Sequence, residues 1–184
     1  MESELTFDQF VARTSMERRA LEQQFERIMK EHGRAVVRLA SAYESNAAGR
    51  DDLVQEIALG IWRALPRFRN ECSERTLIFR IAHNRALTHV SRRRRADENL
   101  DDATEVPDSA RSPERQASDE QLRERLFAAI RRMPATYQHV VVLLLEGMNH
   151  SDIADILGIS EGNVAVRATR ARKELRALLR GKDD

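Results

Sequence analysis

The feature that most constrains this chain is the stretch Glu146 to Arg180, EGMNHSDIADILGISEGNVAVRATRARKELRALLR. It reads as two helices joined by a tight turn. Gly147 halts the helix before it. Asn149 can cap the next, with Asp152 three residues on at capping-box spacing. Ile153, Ala154, Ile156 and Leu157 offer that helix's apolar face to a core. Gly158 supplies the positive φ that a sharp turn demands. Ser160 then caps a second helix, whose positive N-terminal end suits Glu161.

That second helix has two faces of different chemistry. Val164, Ala168, Ala171, Leu175 and Leu178 recur at intervals of three and four, an apolar stripe. Asn163, Arg167, Arg170 and Lys173 fall away from it, with Arg172 and Arg176 at its margin. A short capped helix, a glycine turn and a longer helix with a basic outer face is the helix-turn-helix pattern. An ordinary helical hairpin with a solvated basic face is the plainer alternative, and the pattern favours DNA.

Composition places this unit in an all-α protein, because glycine and proline are few and helical periodicity is sustained. The formal net charge of +1 conceals a segregation. Lys and Arg number 18 against 13 Asp and Glu in residues 1–95, 2 against 9 in residues 96–120, and 11 against 8 in residues 121–184. Two basic blocks flank an acidic connector, as suits a nucleic-acid binder. The single cysteine, Cys72, excludes a disulfide framework and a cysteine-built zinc site. With an acidic start that lacks a long apolar run, and no stretch of membrane-spanning length, a cytoplasmic protein with no signal peptide and no membrane insertion is expected.

In chain order, residues 1–20 read as an N-terminal extension with enough apolar positions for a short helix. Leu21 to about Tyr43 keeps helical spacing, with Gly33 a candidate break. Glu44 to Gly49 reads as a loop. Asp51 to Leu65 is a strong amphipathic helix that the two aspartates open and Pro66 ends. Val54, Ile57, Ala58, Ile61, Trp62 and Leu65 form its buried stripe. Asp52, Gln55, Glu56, Leu59 and Arg63 share the other side, and a leucine displayed among acids marks a partner surface. After a polar, basic loop at Pro66–Arg75, a helix runs from Thr76 to about Arg95. Its Arg80, His83, Asn84 and Arg92 to Arg95 are expected to project outward, where the arginines suit phosphate contact. Residues 96–119 carry almost no large apolar side chains and read as a flexible acidic linker. Helices resume at Glu120. The fold expected is therefore two small helical domains, 21–95 and 120–184, mechanically separate on a polar tether. No catalytic, metal or cofactor constellation appears: the five histidines are scattered, and there is no HExxH, CxxC or phosphate-cradling glycine loop.

Read together, these segments resemble the extracytoplasmic-function (ECF) sigma factors of bacterial RNA polymerase, within the sigma-70 family. DDLVQEIALGIWRALPRF is similar to that family's polymerase-binding helix. FRIAHNRALTHVSRRRR is similar to its promoter-melting, −10-reading helix. AAIRRMPATYQHVVVLLLEGMNHSDIADILGISEGNVAVRATRARKEL is similar to its −35-reading domain.

The resemblance implies a non-enzymatic sigma factor needing no cofactor or metal. Its partners would be core RNA polymerase and promoter DNA, and an anti-sigma factor is common in the family. It places polymerase binding on Asp52, Gln55 and Glu56, beside the exposed Leu59. It places −10 contacts on Arg80 and Asn84, with His83, Arg92 and Arg93 on the same helix. The loop containing Phe68, Arg69 and Asn70 falls where the family captures a flipped base. It places −35 contacts on Arg167, Arg170 and Arg172, to which the outer face adds Ser160, Asn163 and Lys173. The chain departs from the family at Leu77 and His83, where Trp and Arg are frequent, and at Ala165 and Val166. A stand-alone helix-turn-helix regulator binding duplex DNA as a dimer would explain residues 134–180 but leave the N-terminal helices unused.

Overall fold

The computed structural model describes the backbone of residues 7–98 and 114–180, with side chains described over 16–96 and 119–180. Among the described residues every regular element is helical. None of these helices is long and apolar enough to cross a membrane.

Helix α1 spans Phe7–Tyr43 without interruption. Gly33 does not break it, and the expected boundary near residue 20 falls inside it. A glycine costs a helix interior only about 1 kcal/mol, which burial of Ile28, Val36, Leu39 and Ala40 along one stripe outweighs. Helix α2 spans Ala47–Ala64 and is capped by Asn46, whose side chain accepts the Gly49 N–H at 3.0 Å. The expected loop thus shrinks to a few residues, and Asp51 and Asp52 lie a turn inside the helix. A 3-10 turn at Leu65–Arg67 ends α2 at Pro66.

Helix α3 spans Glu74–Glu98. The pair α2 and α3 approach closely at Gly60, where an added Cβ would lie 2.8 Å from Ile81 Cγ2. An edge-to-face contact of Phe25 with Trp62, centroids 5.4 Å apart, packs α1 on α2. Phe79 of α3, unmarked in the sequence reading, is among the largest fully buried side chains.

The C-terminal half comprises α4 (Glu114–Arg131), α5 (Ala135–Leu145), α6 (His150–Leu157) and α7 (Glu161–Arg180). The acidic connector was expected over 96–119; α3 reaches Glu98, α4 starts at Glu114, and residues 99–113 lie outside the described residues.

Two helical domains form as expected, and the structure shows them docked on one another. Helix α4 packs on α1 and α6 packs on α3. Two of the three guanidinium nitrogens of Arg38, Nε and Nη2, donate to the Glu146 carboxylate, at 2.8 and 2.6 Å. Arg75 donates to the Glu146 carbonyl. The last turn of α1 leaves carbonyls without helical partners. Arg131 donates to that of Ser41 at 2.7 Å and Gln138 to that of Ala42 at 2.8 Å, so the second half completes the end of the first.

Candidate nucleic-acid interface

The helix-turn-helix forms as its residues dictate. Asn149 accepts the Asp152 N–H at 2.8 Å. Gly158 closes α6 at φ 64°, and its N–H bonds to Ala154. Ser160 accepts the Asn163 N–H at 3.3 Å, so the Ser160 hydroxyl serves the cap of α7. Val164, Ala168 and Ala171 are buried, which turns Asn163, Arg170, Arg172 and Lys173 to solvent. Arg167 is half-buried. The exposed side of α7 therefore carries hydrogen-bond donors, with Val166 exposed among them.

A basic concavity lies on the N-terminal half. It is a cleft of about 640 Å³ lined by Arg63, Arg67, Phe68, Arg69, Cys72, Leu77 and Arg80, among others. It therefore brings Phe68, Arg69 and Arg80 together. Asn70 shapes the loop through a left-handed backbone, φ 57°, which asparagine tolerates better than most residues. The Nε of Arg80 is buried without a hydrogen-bond partner. Asp155, from α6 of the other half, also lines this cleft.

Other expected contacts lie apart from the cleft. Asn84 is exposed on α3. His83 does not project outward: it is 4% exposed, its ring edge-on to that of His139 with centroids 4.7 Å apart. The reason is tertiary, because α3 is covered by α1 and α2 on one side and by the C-terminal half on another. Burial, and secondarily the neighbouring His139, lowers the His83 pKa from 6.5 to about 4. Burial, then Arg167, lowers that of His139.

Arg92 and Arg93 are engaged within their own half. Arg92 donates to Glu56 at 2.9 Å and Arg93 to Glu44 at 2.6 Å. Glu44 was read as a loop residue, yet it is buried and holds the Asn46 N–H at 2.8 Å and His89 Nε2 at 3.0 Å. Burial alone would raise its pKa, but the hydrogen bonds from Asn46, His89 and Arg93 outweigh that and hold it low. An acid beside a helix cap carries no mark of this in sequence, since its side-chain partners His89 and Arg93 lie 45 and 49 residues away.

On α2, Asp52, Gln55 and Leu59 are exposed together, and Glu56 is half-buried through its pairing with Arg92. One carboxylate and imidazole cluster also assembles, Glu31, His32 and Glu74. Arg27 bridges both of its acids, 3.5 Å from Glu31 and 2.6 Å from Glu74, so a guanidinium already supplies the positive charge.

Comparison with known proteins follows this division. Residues 28–96 match the model for Sigma-70 region 2, and residues 123–175 that for Sigma-70, region 4. The chain is 30% identical over 165 residues to the RNA polymerase sigma factor CnrH of Cupriavidus metallidurans, covering 84% of this chain and 86% of that one. It is 29% identical over 161 residues to the RNA polymerase sigma factor NccH of Alcaligenes xylosoxydans xylosoxydans, with 84% and 86% covered. Among solved structures, the fold is similar to the sigma factor RpoE of Bartonella quintana in complex with the anti-sigma factor NepR. The TM-score is 0.72 at 22% identity, over 86% of this chain and 98% of that one. It is also similar to CnrH in complex with the cytosolic domain of CnrY, with TM-score 0.65 at 24% identity, over 87% and 90%.

Proposed function

Because the chain belongs to the ECF sigma factors of the sigma-70 family, which direct promoter-specific initiation by bacterial RNA polymerase, we propose how its surfaces divide that work. The observation that carries the reading is the order of two basic surfaces on one chain: an arginine-lined cleft on the first half, then a helix-turn-helix with a basic outer helix. The protein is a non-catalytic subunit acting in the cytoplasm. Residues 21–95 bind core polymerase and hold the −10 element. Residues 120–184 read the −35 element, and the acidic 96–119 stretch connects them.

Polymerase binding falls to Asp52, Gln55 and Leu59, with Glu56 beside them, half-buried and paired with Arg92. An exposed leucine among acids suits a partner surface that is part apolar and part cationic. The −10 strand, opened and unstacked, falls to Phe68, Arg69, Asn70 and Arg80, with Asn84, Arg92 and Arg93 along α3. A ring beside guanidinium groups can stack a base and neutralise its phosphate. The −35 duplex falls to Asn163, Arg170, Arg172 and Lys173, with Arg167 beside them and Ser160 setting the helix start. His83 is assigned to the seam between the halves rather than to DNA. An anti-sigma factor is a further partner, as in the solved complexes of CnrH and of the Bartonella RpoE.

Run-off transcription with core polymerase over a genomic promoter library tests this reading. Purified protein should direct initiation from a defined promoter set. Asp52→Arg should abolish copurification with core polymerase at unchanged helical content. Normal copurification of that variant would remove the assigned surface.

A further inference from the structure

Along the outer face of α7 the exposed side chains Asn163, Val166, Arg170 and Lys173 follow one another at intervals of three and four, so they form a single ridge. Three of them carry hydrogen-bond donors. The fourth is aliphatic, and Val166 is 49% exposed. A lone exposed valine is ordinary on a protein surface; its place on this ridge is what gives it meaning. It lies in the second turn of α7, near the end by which a recognition helix reaches base edges. Nothing crowds that end, since a Cβ added at Gly162 would meet no atom within 4 Å. Thr169, three residues on, donates its hydroxyl to the Ala165 carbonyl at 3.0 Å, so that hydrogen is spent within the helix. Local propensity does not call for Val166 either, because a β-branched side chain is restricted in a helix.

We propose that Val166 determines specificity at one −35 base pair by reading the C5 methyl group of a thymine. The inference rests on the assignment of α7 to the −35 duplex. In the major groove each base pair offers its own pattern of donors and acceptors, and the thymine methyl is the apolar group of that code. An isopropyl side chain has no polar group to offer, so it recognises a base only by burying apolar surface against it. Set against the amino group of cytosine, it would exclude water and leave that donor unpaired. Asn163 and Arg170, one turn to either side, hold the register that brings the valine to a single base pair.

The test compares the parent protein with Val166→Ser, each as holoenzyme with core polymerase. The parent first selects its preferred −35 duplex from a library randomised at that element. Each thymine of the selected duplex is then replaced singly by deoxyuridine, which pairs as thymine does but lacks the methyl. Binding is measured by competition against a labelled promoter. One replacement should weaken the parent about three- to fourfold, the scale of one buried methyl-sized group. Val166→Ser should bind thymine and deoxyuridine alike at that position. If the parent prefers particular −35 sequences but no thymine methyl matters, Val166 does not read thymine and the −35 assignment stands. The same holds if Val166→Ser keeps the parent's dependence on the methyl. Loss of copurification of Val166→Ser with core polymerase would place the valine on a protein interface and overturn the proposal. If the library yields no −35 preference at all, the assignment of α7 fails and the inference with it.

Discussion

Arg38 and Glu146 stand 108 residues apart in sequence and form a two-pronged ion pair, the guanidinium half-exposed and the carboxylate side chain only 6% exposed. This asymmetry of burial makes the two truncations unequal. Arg38→Ala leaves a buried carboxylate without its charge partner, at the C-terminal end of α5 where a negative charge is already disfavoured. It should cost about 1.5–3 kcal/mol. Glu146→Ala leaves a guanidinium that can turn to water and should cost less than about 1 kcal/mol. Urea unfolding midpoints of the two variants check the order, and equal losses would contradict it.

Acid should loosen the protein through the seam between its halves. His83 faces His139 of α5, with Tyr43 of α1 at 3.5 Å and Arg167 of α7 near His139. Burial holds the Tyr43 hydroxyl protonated and the His83 ring neutral. A histidine whose folded pKa lies below its unfolded value disfavours the folded state as protons bind. Stability from this source is therefore complete above pH 6.5 and lost as the pH falls towards about 4. The loss from His83 should reach up to about 3 kcal/mol. His83→Gln should flatten that part of the stability–pH curve, measured by urea unfolding at each pH.

Gly60→Ala sets two effects against each other. Alanine favours an isolated helix by about 1 kcal/mol over glycine. The new Cβ would meet Ile81 Cγ2 at 2.8 Å, and a β-branched side chain on a helix has little freedom to turn away. Overpacking typically costs about 1–3 kcal/mol, so the substitution should destabilise, with a lower thermal midpoint. A raised midpoint would show that α2 and α3 separate more easily than their contact suggests.

On α7, Arg170 is exposed while Arg167 is half-buried. Arg170→Ala should change preference at one −35 position, at a cost of about 1–3 kcal/mol for the preferred base. Lys173→Ala should weaken all −35 variants alike and lower the salt slope of binding by about 1. Transcription from a −35 library at two salt concentrations separates these outcomes. A uniform loss with Arg170→Ala would move that residue from base to backbone contact.

Local rules determined much of this protein from its sequence. Glycine at positions 147 and 158, caps at Asn149 and Ser160, and Pro66 set where helices end, because caps and positive-φ residues act within a turn of themselves. The stripe of Val164, Ala168 and Ala171 likewise determined which side of α7 is basic and free, since helical periodicity orients side chains without help from the rest of the fold. Tertiary structure decided what depends on distant partners. His83 looks like an outward residue until α5 covers it, and Glu44 like a loop acid until His89 and Arg93 reach it. Arg92 turns from a free cation into the partner of Glu56. Above all, the two halves dock through one shared apolar core and through polar pairs such as Arg38 with Glu146 and Thr76 with Asp152. Polar pairs of this kind have no period and no composition, and they exist only once separate helices are brought together.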